Sequence, residues 1–326
     1  MSIIEQAAKR LEQLERAGVS VPWSAARAGR LPGAASAPVP VDPAALATAA
    51  AHSAEIRLDG DSLQKVATVS AADEKPAPRS VDRAAPRGQV VLNLEHLRRA
   101  GYLVPDQVRS ELAEQFRHIK RPLLKNARAK PEELEHPGTL IMVTSALPGE
   151  GKTFSSINLA MSMAMEVDTA VILVDADVVR PSVFGRLGIE SQHPGLLDLL
   201  TREDLELQDA LVSTNIAKLT LMASGDRNKQ STELLASTAM DNLLTQLAAE
   251  YSDHVVIFDA PPLLLTTESS VLASKVGQVI VVVEANKTRR QAVQQAFEAL
   301  RNCNVVMSVL NKCDASTDDR HYGYYY

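Results

Sequence analysis

The sequence predicts an α/β protein, a mostly parallel β-sheet covered by helices on both faces. Three observations carry that prediction. Short runs rich in Val, Ile and Leu recur from residue 139 to residue 310. Helical stretches separate them, which is how parallel strands are connected. A glycine-bearing loop joins the first of these runs to the helix that follows it.

Taken in order, residues 1–18 read as an amphipathic helix, with Ile3, Ile4, Ala7, Ala8, Leu11 and Leu14 on one face and Gly18 as its stop. Two roles are open for it: packing on its own domain, or docking on a membrane partner. Residues 19–90 read as a tether rich in Ala, Pro and Ser. Eight of the 17 prolines fall in residues 19–88, too many for a packed core. From there to residue 313 the composition suits one folded domain, preceded by helical stretches at 93–99 and 110–120. Strands are expected at 139–144, 170–175, 218–223, 254–259, 278–283 and 304–310. Helices are expected at 153–166, 195–201, 232–250, 268–275 and 288–301. Residues 314–326 form a polar tail.

Composition narrows the function classes. The chain has 326 residues, 45% of them hydrophobic, and a formal net charge of −6. The core can be substantial, and the acidic balance gives no footing for nucleic acid. Two cysteines, Cys303 and Cys313, make no disulfide framework and suit a reducing compartment. No run approaches the ~18 apolar residues of a membrane span, and the N-terminus lacks a signal-type apolar region. The expectation is a cytoplasmic protein that reaches the inner face of a membrane only through a partner.

The loop Ala146-Leu147-Pro148-Gly149-Glu150-Gly151-Lys152-Thr153 points to phosphate chemistry. Gly149 and Gly151 let backbone N–H groups close around phosphate oxygens, and the following helix adds the positive end of its dipole. Lys152 can reach terminal phosphates, and the Thr153 hydroxyl can ligate Mg²⁺. The expected fold is therefore of P-loop NTPase type. Two more strand ends carry acids: Asp175 and Asp177 after Val171–Val174, and Asp259 before Ala260-Pro261-Pro262. Such carboxylates could hold hydrated Mg²⁺ or take a proton from an attacking hydroxyl. Four of the six tyrosines, Tyr322, Tyr324, Tyr325 and Tyr326, lie in the last five residues. A polar tail has no core for them, and two readings stand: a sticky or disordered end, or phosphate acceptors.

Together these motifs resemble those of the bacterial tyrosine kinase (BY-kinase) family. The matching features are the loop Ala146–Thr153, the Asp175/Asp177 pair, the Asp259–Pro262 turn and the tyrosine tail. The soluble N-terminal helix, the tether and Phe116–Leu124 look most like the exosortase (XrtA)-associated tyrosine autokinase subgroup. The resemblance implies an ATP- and Mg²⁺-dependent autokinase that regulates exopolysaccharide synthesis or export. Pro148, Gly149, Glu150, Gly151, Lys152, Thr153, Phe154 and Asn311 would hold the nucleotide. Thr153, Asp175, Asp177 and Asp259 would bind metal, and Lys152 with the three aspartates would act in catalysis. Which of Asp175 and Asp177 is the base stays open. The family's Arg after the paired acids falls one place late, at Arg180. Glu114, Arg117 and Lys120 match its oligomer motif, with Lys in place of the last Arg, and imply a homo-oligomer. Partners implied are a membrane chain-length or activator protein and a cognate tyrosine phosphatase.

Three rivals remain. A partition or septum-site ATPase switch would carry a Lys where Leu147 stands. A GTPase would fit Asn311-Lys312-Cys313-Asp314, a guanine-reading pattern. A nucleotide-sensing scaffold without kinase activity is the third.

Overall fold

A computed structural model describes residues 85–313, apart from 108, 129–134, 191 and 228–229. The expected N-terminal helix, most of the tether and the tyrosine tail lie outside the described residues.

Eight strands form one sheet in the order β1-β4-β5-β3-β6-β2-β7-β8. The strands are β1 (Gly88–Val90), β2 (Leu140–Ser145), β3 (Ala170–Asp175), β4 (Leu211–Thr214), β5 (Leu219–Met222), β6 (His254–Asp259), β7 (Gln278–Glu284) and β8 (Val306–Asn311). All neighbours are parallel except the hairpin pair β4 and β5. Every residue of β2 is buried, as are most of β3, β6 and β7. That is the demand of a central strand covered on both faces, and it explains the unbroken Val/Ile/Leu runs. β8 alternates between half-buried and exposed positions, as an edge strand does.

The helices are α1 (Leu94–Arg99), α2 (Glu111–Ala127), α3 (Lys152–Ala164), α4 (Val183–Arg186), α5 (Leu196–Thr201), α6 (Leu207–Ala210), α7 (Ser231–Leu234), α8 (Thr238–Glu250), α9 (Thr267–Ala273) and α10 (Arg290–Ala299). Two apolar cores lie on the two sheet faces, one around Phe258, Leu247 and Met240, the other around Phe116, Ile157 and Leu221. α2 buries Ala113, Phe116, Lys120 and Leu123, one stripe at helical spacing.

The structure departs from the sequence expectations at six points, two of them the short helices α4 and α6, which were not foreseen. α2 runs on through Pro122 to Ala127, beyond the expected 110–120. The single helix expected at 232–250 is two, because Ser237 stops one and caps the other by accepting from Met240 N–H. β4 and β1 were not foreseen. β1 falls at the end of the stretch read as tether, and three residues on a sheet edge carry too little pattern to stand out. Among the described residues no helix is long and apolar enough to cross a membrane.

Candidate nucleotide and phosphoryl-transfer site

The site lies at the carboxyl ends of β2, β3 and β6, where parallel α/β sheets bind ligands. β6 sits between the other two, so the loop after β2 faces the acids after β3. Asp175 and Asp259 are partners in register on adjacent strands. Gly149 and Gly151 have φ of 86° and 102°, the left-handed region that favours glycine. Gly151 has a second reason to be glycine: a Cβ there would stand 1.9 Å from Asn311 Nδ2.

Lys152 ties the acids together. Its Nζ lies 2.7 Å from Asp177 Oδ2 and 3.8 Å from Asp259 Oδ2. Burial alone would lower its pKa, but the Asp259 and Asp177 carboxylates outweigh that and raise it, so the ammonium stays charged. Thr153 Oγ1 donates to Asp259 Oδ2 at 2.7 Å, and Ser156 Oγ donates to Oδ1 at 2.9 Å. Asp259 is fully buried, and that burial pushes its pKa up despite these partners.

Asp175 is held differently. Its Oδ2 accepts from the backbone N–H groups of Ser182 and Val183, each at 2.9 Å. Among the described residues its buried Oδ1 has no hydrogen-bond partner. Desolvation and then the Asp259 charge push its pKa up to about 7. Asp177 reaches the cleft wall, and its Oδ1 accepts from Arg180 N–H at 2.9 Å.

The cleft above these groups has a volume of about 870 Å³. Its lining includes Gly149, Gly151, Lys152 and Thr153, with Asp177, Arg180, Arg186, Pro261, Pro262, Leu265 and Thr266. Phe154 lines it too, with its ring 5.4 Å from that of Tyr102. Glu150 faces inward instead. Its Oε2 accepts from Leu147 N–H at 2.7 Å, and its Oε1 accepts from the Thr288 hydroxyl. Asn311 Nδ2 donates to Glu150 O at 2.9 Å and Lys312 Nζ to Gly149 O at 2.8 Å. The Asn-Lys pair thus braces the loop through its carbonyls.

Asp175 tests the fit of a divalent ion. A buried carboxylate with one unpartnered oxygen, beside Thr153 and Asp259, suits a hard cation. Among the described residues no group of three or more His, Cys, Asp or Glu could hold an ion by itself. Mg²⁺ usually takes one or two carboxylates plus phosphate oxygens and water, so this donor set fits Mg²⁺ carried in with a nucleotide.

Of the residues singled out from sequence, the structure joins Lys152, Thr153, Asp175, Asp177 and Asp259 in one cluster, with Gly149, Gly151, Phe154, Arg180 and Asn311 around the same cleft. The oligomer set divides. Glu114 and Arg117 pair on the surface of α2. Lys120 turns inward: it is buried, donates to Ser162 O and pairs with Glu166, both at 2.7 Å. Tyr102 and Tyr251 are buried, and the other four tyrosines lie outside the described residues. Ser156 and Ser182 were missed. Ser156, one helical turn after Lys152, had a faint signal in its spacing. Ser182 had none, since a turn of unpredictable path brings it to Thr153.

The AAA domain family matches residues 138–311. A tyrosine-protein kinase of Bacillus subtilis, YwqD, is 32% identical over 187 residues, covering 57% of this chain and 76% of the relative. The tyrosine-protein kinase ptk of Acinetobacter johnsonii is 30% identical over 180 residues, 55% of this chain but 24% of that longer relative. The kinase domain of the Escherichia coli tyrosine kinase ETK superimposes with a TM-score of 0.58 at 26% identity, covering 69% of this chain and 85% of that one.

Proposed function

We propose, from the premise that this chain belongs to the bacterial tyrosine kinase family and its AAA domain class, that it is an autokinase transferring the γ-phosphoryl group of ATP to its own C-terminal tyrosines. One observation carries the reading: Lys152, Thr153 and three aspartates from two strand ends converge under a phosphate-binding loop. Bound Mg²⁺, held by Thr153 with Asp175 and Asp259, would neutralise developing charge on the phosphates. Lys152 exchanges its carboxylate partners for phosphate oxygens. Asp177, on the cleft wall, takes the proton as a tyrosine oxygen attacks phosphorus and ADP leaves. The acceptor reading is supported by burial of Tyr102 and Tyr251, which leaves Tyr322, Tyr324, Tyr325 and Tyr326 as candidates. Glu114 and Arg117 would serve contacts between copies, a role for which inward-facing Lys120 is poorly placed. A membrane activator, a cognate phosphatase, regulation of exopolysaccharide export and membership of the exosortase-associated subgroup rest on the sequence resemblance.

Asn311 and Lys312 brace the loop through its carbonyls, contacts that do not discriminate ATP from GTP, so the test uses both nucleotides. The test is phosphosite mapping of purified chain with Mg²⁺ and either ATP or GTP, beside Lys152→Met. Phosphate on the tail with ATP, absent in Lys152→Met, is expected. Phosphotyrosine persisting in the variant would end the proposal.

A further inference from the structure

A second groove runs along α2. Arg117, Arg121, Leu124, Lys125, Arg128 and Glu166 line it, enclosing about 490 Å³. Four of the six are cations, and their spacing sets them in a row on one helix face. Arg121, Lys125 and Arg128 are exposed. The groove's carboxylate is committed elsewhere, since Glu166 pairs with Lys120. Arg117 pairs with Glu114. Among the described residues no carboxylate pairs with Arg121, Lys125 or Arg128. The end of α2 offers roughly half a negative charge, which answers part of the charge on Lys125 and Arg128 and none of that on Arg121. A row of like charges this poorly compensated favours an anionic ligand.

We infer that this groove docks the phosphorylated C-terminal segment, residues 314–326, of the same chain. The inference rests on the proposed role of that segment as phosphate acceptor. Charge complementarity carries it. The segment holds Asp314, Asp318 and Asp319 besides its four tyrosines. Four phosphates would add roughly −6 to −8 at pH 7. Guanidinium groups such as Arg121 and Arg128 bind phosphate through paired N–H donors. The 13 residues after Cys313 span at most about 43 Å when extended, so the segment has length to cross a domain of this size. Docking would draw modified tyrosines away from the cleft and leave it open to the next acceptor.

The test uses the full chain with all four tail tyrosines changed to Phe, titrated with a labelled synthetic peptide of residues 313–326 phosphorylated on its four tyrosines. Fluorescence anisotropy is expected to show binding that weakens with salt. Arg121→Gln/Lys125→Gln/Arg128→Gln should weaken it by at least about tenfold, and removing the phosphates from the peptide by a similar factor. Arg121→Lys/Arg128→Lys, which keeps the charge, should retain part of the affinity, and thermal melts verify that each variant is folded. Equal affinity for parent and triple variant, or for the two peptides, would overturn the inference. So would loss of binding to phosphatidylglycerol vesicles in the triple variant with peptide affinity intact, which would assign the groove to lipid. Because the peptide is made chemically, the result reads out even if the chain never phosphorylates itself.

Discussion

Asp175 shows what a single buried carboxylate costs before its ligand arrives. Its pKa in the folded chain is about 7, against 3.8 for the free side chain. The folded chain therefore binds this proton more tightly than the unfolded one. Stability from this group is full below about pH 4 and is lost as pH rises through 7. The penalty reaches at most about 4 kcal/mol at alkaline pH. Asp175→Asn should melt higher than the parent in chelator-treated buffer, by a margin that grows from pH 5 to pH 8. Parallel melting curves across that range would contradict the charge argument. Gly151 bears on the same site. Gly151→Ala forces a left-handed residue, at about 1–2 kcal/mol, and drives its Cβ into Asn311. Nucleotide affinity by calorimetry should fall at least about tenfold. At this scale the sequence was highly legible: a lysine after two glycines and an acid closing a buried strand declare their chemistry in their neighbours. Ser182 and Thr288 did not, because each reaches the loop or its acids from a remote segment.

At the scale of elements, α2 is held to α3 by a polar contact inside an apolar seam. Lys120 caps the carbonyl end of α3 at Ser162 and pairs with half-exposed Glu166. Lys120→Ala should lower stability by about 1–3 kcal/mol, because Ser162 O loses a buried charged donor. Lys120→Met, which keeps the packing, should fall between it and the parent in thermal melts. A melt unchanged in both would mean the side chain turns outward in solution. The helix stripe of α2 was readable, yet this lysine was assigned to a surface contact. Spacing puts Lys120 on the same face as Phe116 and Leu123, and only the presence of Ser162 beneath it makes burial of an ammonium affordable. Gln278 is comparable. Its Nε2 reaches the carbonyls of Leu123 and Gly138, a role no strand pattern announces.

For the whole molecule, the acceptor question turns on where the six tyrosines sit. Two are sealed in the cores and four belong to the tail. Changing the four to Phe should abolish most autophosphorylation while leaving intact the rise in melting temperature produced by Mg²⁺ and ATP. Saturation at a hundred times Kd stabilises by about 2.7 kcal/mol, and that rise should vanish in Lys152→Met. Phosphate accumulating on Tyr102 or Tyr251 would require those side chains to leave their cores, and would redirect the search for the acceptor.

Sequence alone determined the α/β class, the central strands and the loop with its three acids, because buried strands and phosphate loops impose local patterns that little else satisfies. Tertiary structure alone decided that Asp175 is left with a bare oxygen, that Lys120 points inward, and that β1 and β4 join the sheet. Each of those outcomes depends on which distant atoms fill the space beside a residue, and no local spacing encodes that.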